Sequence, residues 1–269
     1  MLPLCRNNNN EGAMGSNFRI ILAGVAVLLF GVSSSQAQVA PRSYAVMSLV
    51  GNAITVHTIR PAVGIRTQAE SKNVLPIAET VFDTATLRAA DGVIKQVQPG
   101  AKVVLMMTSD PGLYAAQNAM FDAAHANQDN RDYLISLLKE RGVTHLLLVT
   151  KEHDSARFKL TNGYAGKGSL EGLGFYIDDT SHLRNGNTQD SATGMLGLFA
   201  YVKVRLLDAG TLALVRESAA PQSHIIIEPG ATANAMEIWT RLASSKKIAY
   251  LEELLGDAMQ EAIPKVLAK

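Results

Sequence analysis

The chain has 269 residues, with 25 Lys and Arg against 24 Asp and Glu and a formal net charge of +1. That length supports one large domain or two small ones, and a charge so close to balance argues against a general nucleic-acid or anionic-membrane binder. The only cysteine is Cys5, so the chain beyond it forms no disulfide and carries no thiol chemistry.

The first element is an apolar run, Ile20 to Val32, preceded by Arg19 and followed by Ser33-Ser-Ser-Gln-Ala37. A basic flank, a short apolar stretch and small residues at Ser35 and Ala37 are the parts of a cleavable secretory signal. The expected signal is residues 1–37, with Met14 as an alternative start; an uncleaved anchor is the minor alternative. The mature chain then begins at Gln38 and is periplasmic, with no stable membrane anchor. Loss of Arg6, Arg19 and Glu11 leaves 25 − 2 = 23 basic and 24 − 1 = 23 acidic side chains. No cysteine follows the apolar run, which argues against a bacterial lipid anchor.

Ser43–Val50 reads as a strand, and Gly51-Asn52 turns it into a second, Ile54–Ile59, which alternates strictly. Arg60–Pro76 is polar and reads as a loop. Ala78–Val97 has helical spacing and ends at Pro99-Gly100. Lys102–Thr108 is a continuous apolar run of the kind found in a central strand buried on both faces. Asp110-Pro111 starts a helix, with Leu113, Ala116, Met120 and Ala124 on one stripe. The next helix, Arg131–Arg141, stops at Gly142, and an apolar strand, Thr144–Thr150, follows at once. Residues 156–160 read as a strand leading away.

Thr161–Gly194 is punctuated by seven glycines and reads as a long excursion, either functional or folded back on the domain. Phe199–Asp208 and Leu212–Ser218 read as a β-hairpin about Asp208-Ala-Gly-Thr211, with Gly210 available for a positive φ. Ile225–Glu228 is a short strand, and Ala231–Leu242 is weakly helical. Ser245–Leu267 is a strong amphipathic helix with Ile248, Leu251, Leu255, Met259, Ala262 and Val266 on one stripe; Pro264 is expected to kink or fray its final turn. The expected architecture is α/β (α+β): one mixed sheet with helices packed on it, a closing C-terminal amphipathic helix, and a single domain over 38–269.

Three features of residues 102–267 resemble the bacterial envelope family of the curli-secretion protein CsgG, the TolB N-terminal domain and penicillin-binding-protein activators. They are a helix ending in Gly before an apolar strand (Tyr133–Thr150), a strand ending in Leu-Leu-Asp with a Gly-containing turn and a returning strand (Tyr201–Val215), and the closing helix at 245–267. The resemblance implies an envelope protein that works by binding or assembly, without catalysis. The lack of a lipidated Cys at the mature N-terminus departs from the curli protein and puts pore formation in doubt.

No catalytic, cofactor-binding or metal-binding residue is assigned. Gly163–Ser169 lacks the glycine, Ser/Thr and following helix that a phosphate loop needs. Asp178, Asp179 and His182 are close in sequence but match no metal-site spacing, and read as a solvated turn. Glu152-His153-Asp154 is a similar cluster at a strand end, without a recognisable nucleophile. His57 and His145 fall in strands and read as structural. Tyr164, Phe175, Tyr176, Met195, Leu198 and Phe199 are apolar side chains on or beside the Gly-rich excursion, and are the candidate partner-binding residues. The expected function is a non-catalytic binding or assembly role in the envelope, with an envelope protein or a second copy as partner and no cofactor. The alternatives are a periplasmic hydrolase using residues around Glu152–Asp154, or a structural subunit that self-associates through residues 161–198.

Overall fold

The structure is a computed structural model that describes residues 42–61, 69–121, 128–160, 163–184, 191–226 and 234–268. The expected signal and the readings on His125, Pro229-Gly230 and the side chain of His182 lie outside the described residues. Ala40–Lys269 forms one compact unit.

In chain order the strands are β1 (Ser43–Ser48), β2 (Ala53–Arg60), β3 (Ala69–Pro76), β4 (Lys102–Met106), β5 (His145–Lys151), β6 (His153–Ser155), β7 (Phe158–Leu160), β8 (Gly163–Ala165), β9 (Ser169–Arg184), β10 (Ser191–Asp208) and β11 (Leu214–Ile226). The helices are α1 (Val81–Val97) and α2 (Pro111–Ala116), α3 (Gln128–Arg141), α4 (Ala235–Arg241) and α5 (Ser244–Leu267). The large sheet is mixed and runs β3-β2-β9-β10-β5-β1-β4, with β11 and β6 paired off that path. The two short strands β7 and β8 form a separate hairpin.

The sheet branches at β10. Along one edge β10 pairs first with β9, from Ser191 to Tyr201, and then with β5, from Val202 to Asp208. Along the other edge it pairs with β11. One branch is therefore β9-β2-β3, in which β2 and β9 are parallel. The other is β5-β1-β4, all parallel.

Strand alternation sorts side chains of β10 onto two faces. Leu196, Leu198, Ala200, Val202, Val204 and Leu206 join the core formed with α1, α4 and α5. Met195, Phe199 and Tyr201 face the other way, into a cluster with Phe158, Leu170 and Tyr176 under the β7-β8 hairpin. Further along that second face, Leu207 joins Leu113, Met120, Leu134 and Leu138 of the α2–α3 layer. Helices thus cover both faces of the β5-β1-β4 branch, as parallel strands require.

The fold class agrees with the sequence reading, but several elements differ. Residues 69–76, read as loop, form edge strand β3; its outer position demands few apolar side chains, so Glu70-Ser-Lys-Asn73 carries no strand signature. β4, read as central, is the opposite edge strand. Its apolar residues are used because Val103 meets the α1 core while Val104 and Met106 meet the α2–α3 core. Ile225 and Ile226 belong to β11.

The largest correction concerns 161–194. Its described part is the β7-β8 hairpin end and the two long strands β9 and β10, at the centre of the sheet. At the 208–211 turn the positive φ falls on Leu212 (53°), not on Gly210. The Asp208 carboxylate Oδ1 accepts bonds from the Gly210 and Thr211 N–H groups and the Thr211 hydroxyl, which fixes the turn. Pro264 lies inside α5, and the helix continues to Leu267.

Candidate ligand cleft at the carboxyl ends of β1 and β5

From β1 the chain passes through β2 and β3 to α1 on one face. From β4 it passes to α2 and α3 on the other. Open α/β sheets have their binding crevice outside the carboxyl ends of the strands where such connections part. Here that crevice is a cavity of about 510 Å³. Its walls include Asn52 after β1, Tyr114 and Gln117 after β4, Lys151 at the end of β5, and Lys72 and Glu171 from the other branch.

Behind the Tyr114 wall of the crevice, outside its lining, is a buried carboxylate. Asp83, 3% exposed in the first turn of α1, takes a hydrogen bond on Oδ1 from the Ser48 hydroxyl (2.6 Å) and from the Val50 and Gly51 N–H groups (3.1 Å each). The Tyr114 hydroxyl donates to Oδ2 at 2.6 Å. Burial, with the Asp83 carboxylate beside it, pushes the Tyr114 phenol well above its ordinary range and keeps it a neutral donor. Asp83 thus ties β1, the β1–β2 turn, α1 and α2 into one frame.

The end of β5 is held differently. β1 turns away after Ser48, so the last residue of β5 loses its sheet neighbour on that side. Two side chains following α2 replace it: Gln117 Oε1 accepts from the Lys151 N–H (2.7 Å), and Asn118 Nδ2 donates to the Lys151 carbonyl (3.0 Å). The Lys151 ammonium donates to Asn52 Oδ1 at 2.6 Å. Burial lowers its pKa from 10.5; Lys72 adds to that, while Glu171 and Asp83 oppose it. Gly172, at φ +69°, lies against the lysine stem: a Cβ there would stand 2.8 Å from Lys151 Cδ.

A second cavity, of about 440 Å³, shares Asn118 and is floored by Lys203 and Arg205. Its cations are bound to the protein. Lys203 pairs with Glu152 at 2.9 Å, and Arg205 contacts Glu217 at 3.3 Å and the Thr150 hydroxyl at 2.7 Å.

The structure does not gather the residues singled out from sequence into a surface. Tyr164 is 70% exposed, on β8. Phe175, Tyr176, Met195, Leu198 and Phe199 are buried, at 1% exposure or less. Phe175 and Leu198 lie in the core against α4 and α5, with Phe175 packed on Trp239 at 4.6 Å between ring centroids. Tyr176, Met195 and Phe199 lie beneath the β7-β8 hairpin. These five are packing residues and present nothing to a partner, which also removes them as a self-association surface.

Asp178 is buried and is bound by its own neighbours, the Thr180 and Ser181 N–H and hydroxyl groups. Glu152, His153 and Asp154 are dispersed. Glu152 is tied to Lys203, His153 is exposed on β6, and Asp154 accepts from the Ser155 N–H. Among the described residues no hydrogen bond joins His153 to Asp154. The cleft residues were detectable from one signal, a lysine closing the apolar strand Leu146-Leu-Leu-Val-Thr-Lys151 beside a Gly-Asn turn.

No protein-family model matches the chain, and no curated protein matches it. Among solved structures it has a likeness to a Helicobacter pylori protein described as a homolog of neuraminyllactose-binding hemagglutinin, at TM-score 0.35 and 9% identity, covering 85% of this chain and 88% of that one. It also has a likeness to a lipoprotein from Neisseria meningitidis (TM-score 0.25, 10% identity, 81% and 97% covered) and to a Xanthomonas campestris protein of the DUF330 family (TM-score 0.23, 11% identity, 82% and 80% covered). Similarity at this level carries no functional argument.

Proposed function

We propose that the chain is an exported envelope protein that acts by binding a ligand or partner, without catalysis, and that the cleft beyond β1 and β5 is where it binds. The observation that carries this is the state of the buried carboxylate behind the Tyr114 wall of the cleft. Asp83 already accepts four hydrogen bonds from Ser48, Val50, Gly51 and Tyr114. A carboxylate so saturated organises a site but is poorly placed to take a proton from a substrate. The signal-like N-terminal run supports export, and the resemblance to the CsgG and TolB N-terminal family is part of the same proposal. Two segments that carry that resemblance are α3 running through Gly142 into β5, and the β10–β11 hairpin.

Native mass spectrometry of the tagged protein recovered from the bacterial envelope tests the reading. The expected result is a chain beginning at Gln38 that carries a non-covalent molecule or partner unchanged over time. Chemical turnover of the carried molecule, or a chain that retains residues 1–37 in the cytosol, overturns it.

A further inference from the structure

Among the described residues, the cleft lining holds one cation that no carboxylate pairs with directly. Lys151 is half-buried, its hydrogen-bond partner is the neutral Asn52 amide, and among the described residues no carboxylate comes within ion-pair distance of its ammonium. Lys72 differs: it stands 4.0 Å from Glu171, with both side chains close to half exposed. Among the described residues, two lysines against one glutamate leave the cleft lining with one positive charge. The rest of the wall is apolar in part. Val74, 53% exposed, and Ala115 both border the cavity. We propose that this cleft takes a small monocarboxylic acid with an apolar body, its carboxylate seated on the Lys151 ammonium and its body against Val74 and Ala115.

Three arguments lead there, and all rest on reading the cleft as the binding site. The first is charge. A monoanion neutralises the lining, whereas a phosphate dianion overshoots and meets Glu171. The second is positioning. The lysine stem lies against the bare backbone of Gly172 and its head is held by Asn52, so the cation is placed before any ligand arrives. The third is size. The cavity of about 510 Å³ is within the usual range for small-ligand sites, and far larger than a bare oxyanion needs.

Isothermal titration of the purified mature chain with hexanoate, N-acetyl-leucine, hexylamine and inorganic phosphate provides the test. Binding of one or both carboxylates is expected, with hexylamine and phosphate at least about tenfold weaker; the tighter of the two carboxylates separates a free aliphatic acid from a peptide C-terminus. Lys151→Met should weaken carboxylate binding by about tenfold or more, as expected for loss of a charge-assisted contact. Lys72→Met should weaken it by only about threefold, since its charge is already shared with Glu171. Lys72 lies on an exposed edge strand, so that variant tests the charge argument even if Lys151→Met fails to melt cooperatively. Equal binding of hexylamine, no carboxylate binding by the wild-type chain, or a Lys151→Met variant that binds as wild type overturns the proposal. If the molecule recovered from the envelope stays bound to Lys151→Met and hexanoate does not displace it, the carboxylate assignment falls while the cleft reading stands.

Discussion

His57 of β2 is 4% exposed, and its Nε2 is buried without a hydrogen-bond partner among the described residues. Burial lowers its pKa below the ordinary 6.5; Lys72 adds to the effect and Glu70 opposes it. The unfolded chain therefore binds a proton that the folded chain refuses, and stability falls as pH drops below about 6.5 toward the folded value. His57→Gln should flatten the fall in urea midpoint between pH 7 and pH 5. His145, also shifted down by burial, remains in the variant and accounts for residual slope. An unchanged slope would show that His57 is not the group responsible.

Asp83 offers a second test at this scale. Asp83→Ala strands the Ser48, Val50 and Gly51 donors and should cost about 3 kcal/mol or more, whereas Tyr114→Phe, which removes one donor, should cost about 1.5–3 kcal/mol. Chemical denaturation of both variants checks the order, and a milder effect for Asp83→Ala contradicts the clamp. Neither residue was legible from sequence, because the three donors come from a strand end and a turn more than thirty residues away.

α5 was legible because its apolar stripe repeats over six turns, and the structure buries Leu251, Leu254, Leu255, Ala258, Met259, Ala262, Ile263 and Val266 along it. Truncation at Ser244 should leave an insoluble or unfolded chain, and Leu255→Ala alone should cost about 2–5 kcal/mol, since Leu255 is fully buried. Cooperative melting of the truncated chain, followed by circular dichroism, would show instead that the helix is an appendage. The β10–β11 hairpin was legible from alternation and the Asp208 turn. β3 was not, because an exposed edge strand needs no apolar face. β9 and the start of β10 were missed for another reason: their glycines read as loop residues but mark close approach. A Cβ on Gly174 would sit 1.9 Å from the Thr55 carbonyl oxygen, and one on Gly197 would sit 2.4 Å from the Phe158 ring. Glycine in a strand interior is the expected answer to such crowding, and it erases the period by which strands are recognised.

At the scale of the whole unit, β10 is what joins the two branches of the sheet. Its first part carries β9, and through β9 the strands β2 and β3; its second part carries β5, β1 and β4. The cleft lies where these branches part, with Lys72 and Glu171 from one and Lys151 from the other. Replacing Thr161–Gly194 by a short Gly-Ser linker removes β8, all of β9 and the start of β10. β2 then loses its parallel partner, and the core loses Leu173, Phe175 and Ile177, each 1% exposed or less. Burial of each such side chain contributes about 1.5–3 kcal/mol as an upper estimate, comparable in sum to the whole net stability of an ordinary domain. The deletion variant should therefore show no cooperative thermal transition, and the cleft should be lost with the fold. A variant that melts cooperatively near the wild-type temperature would show that the β5-β1-β4 branch and its helices stand alone, and that the β9 branch is an attachment to them.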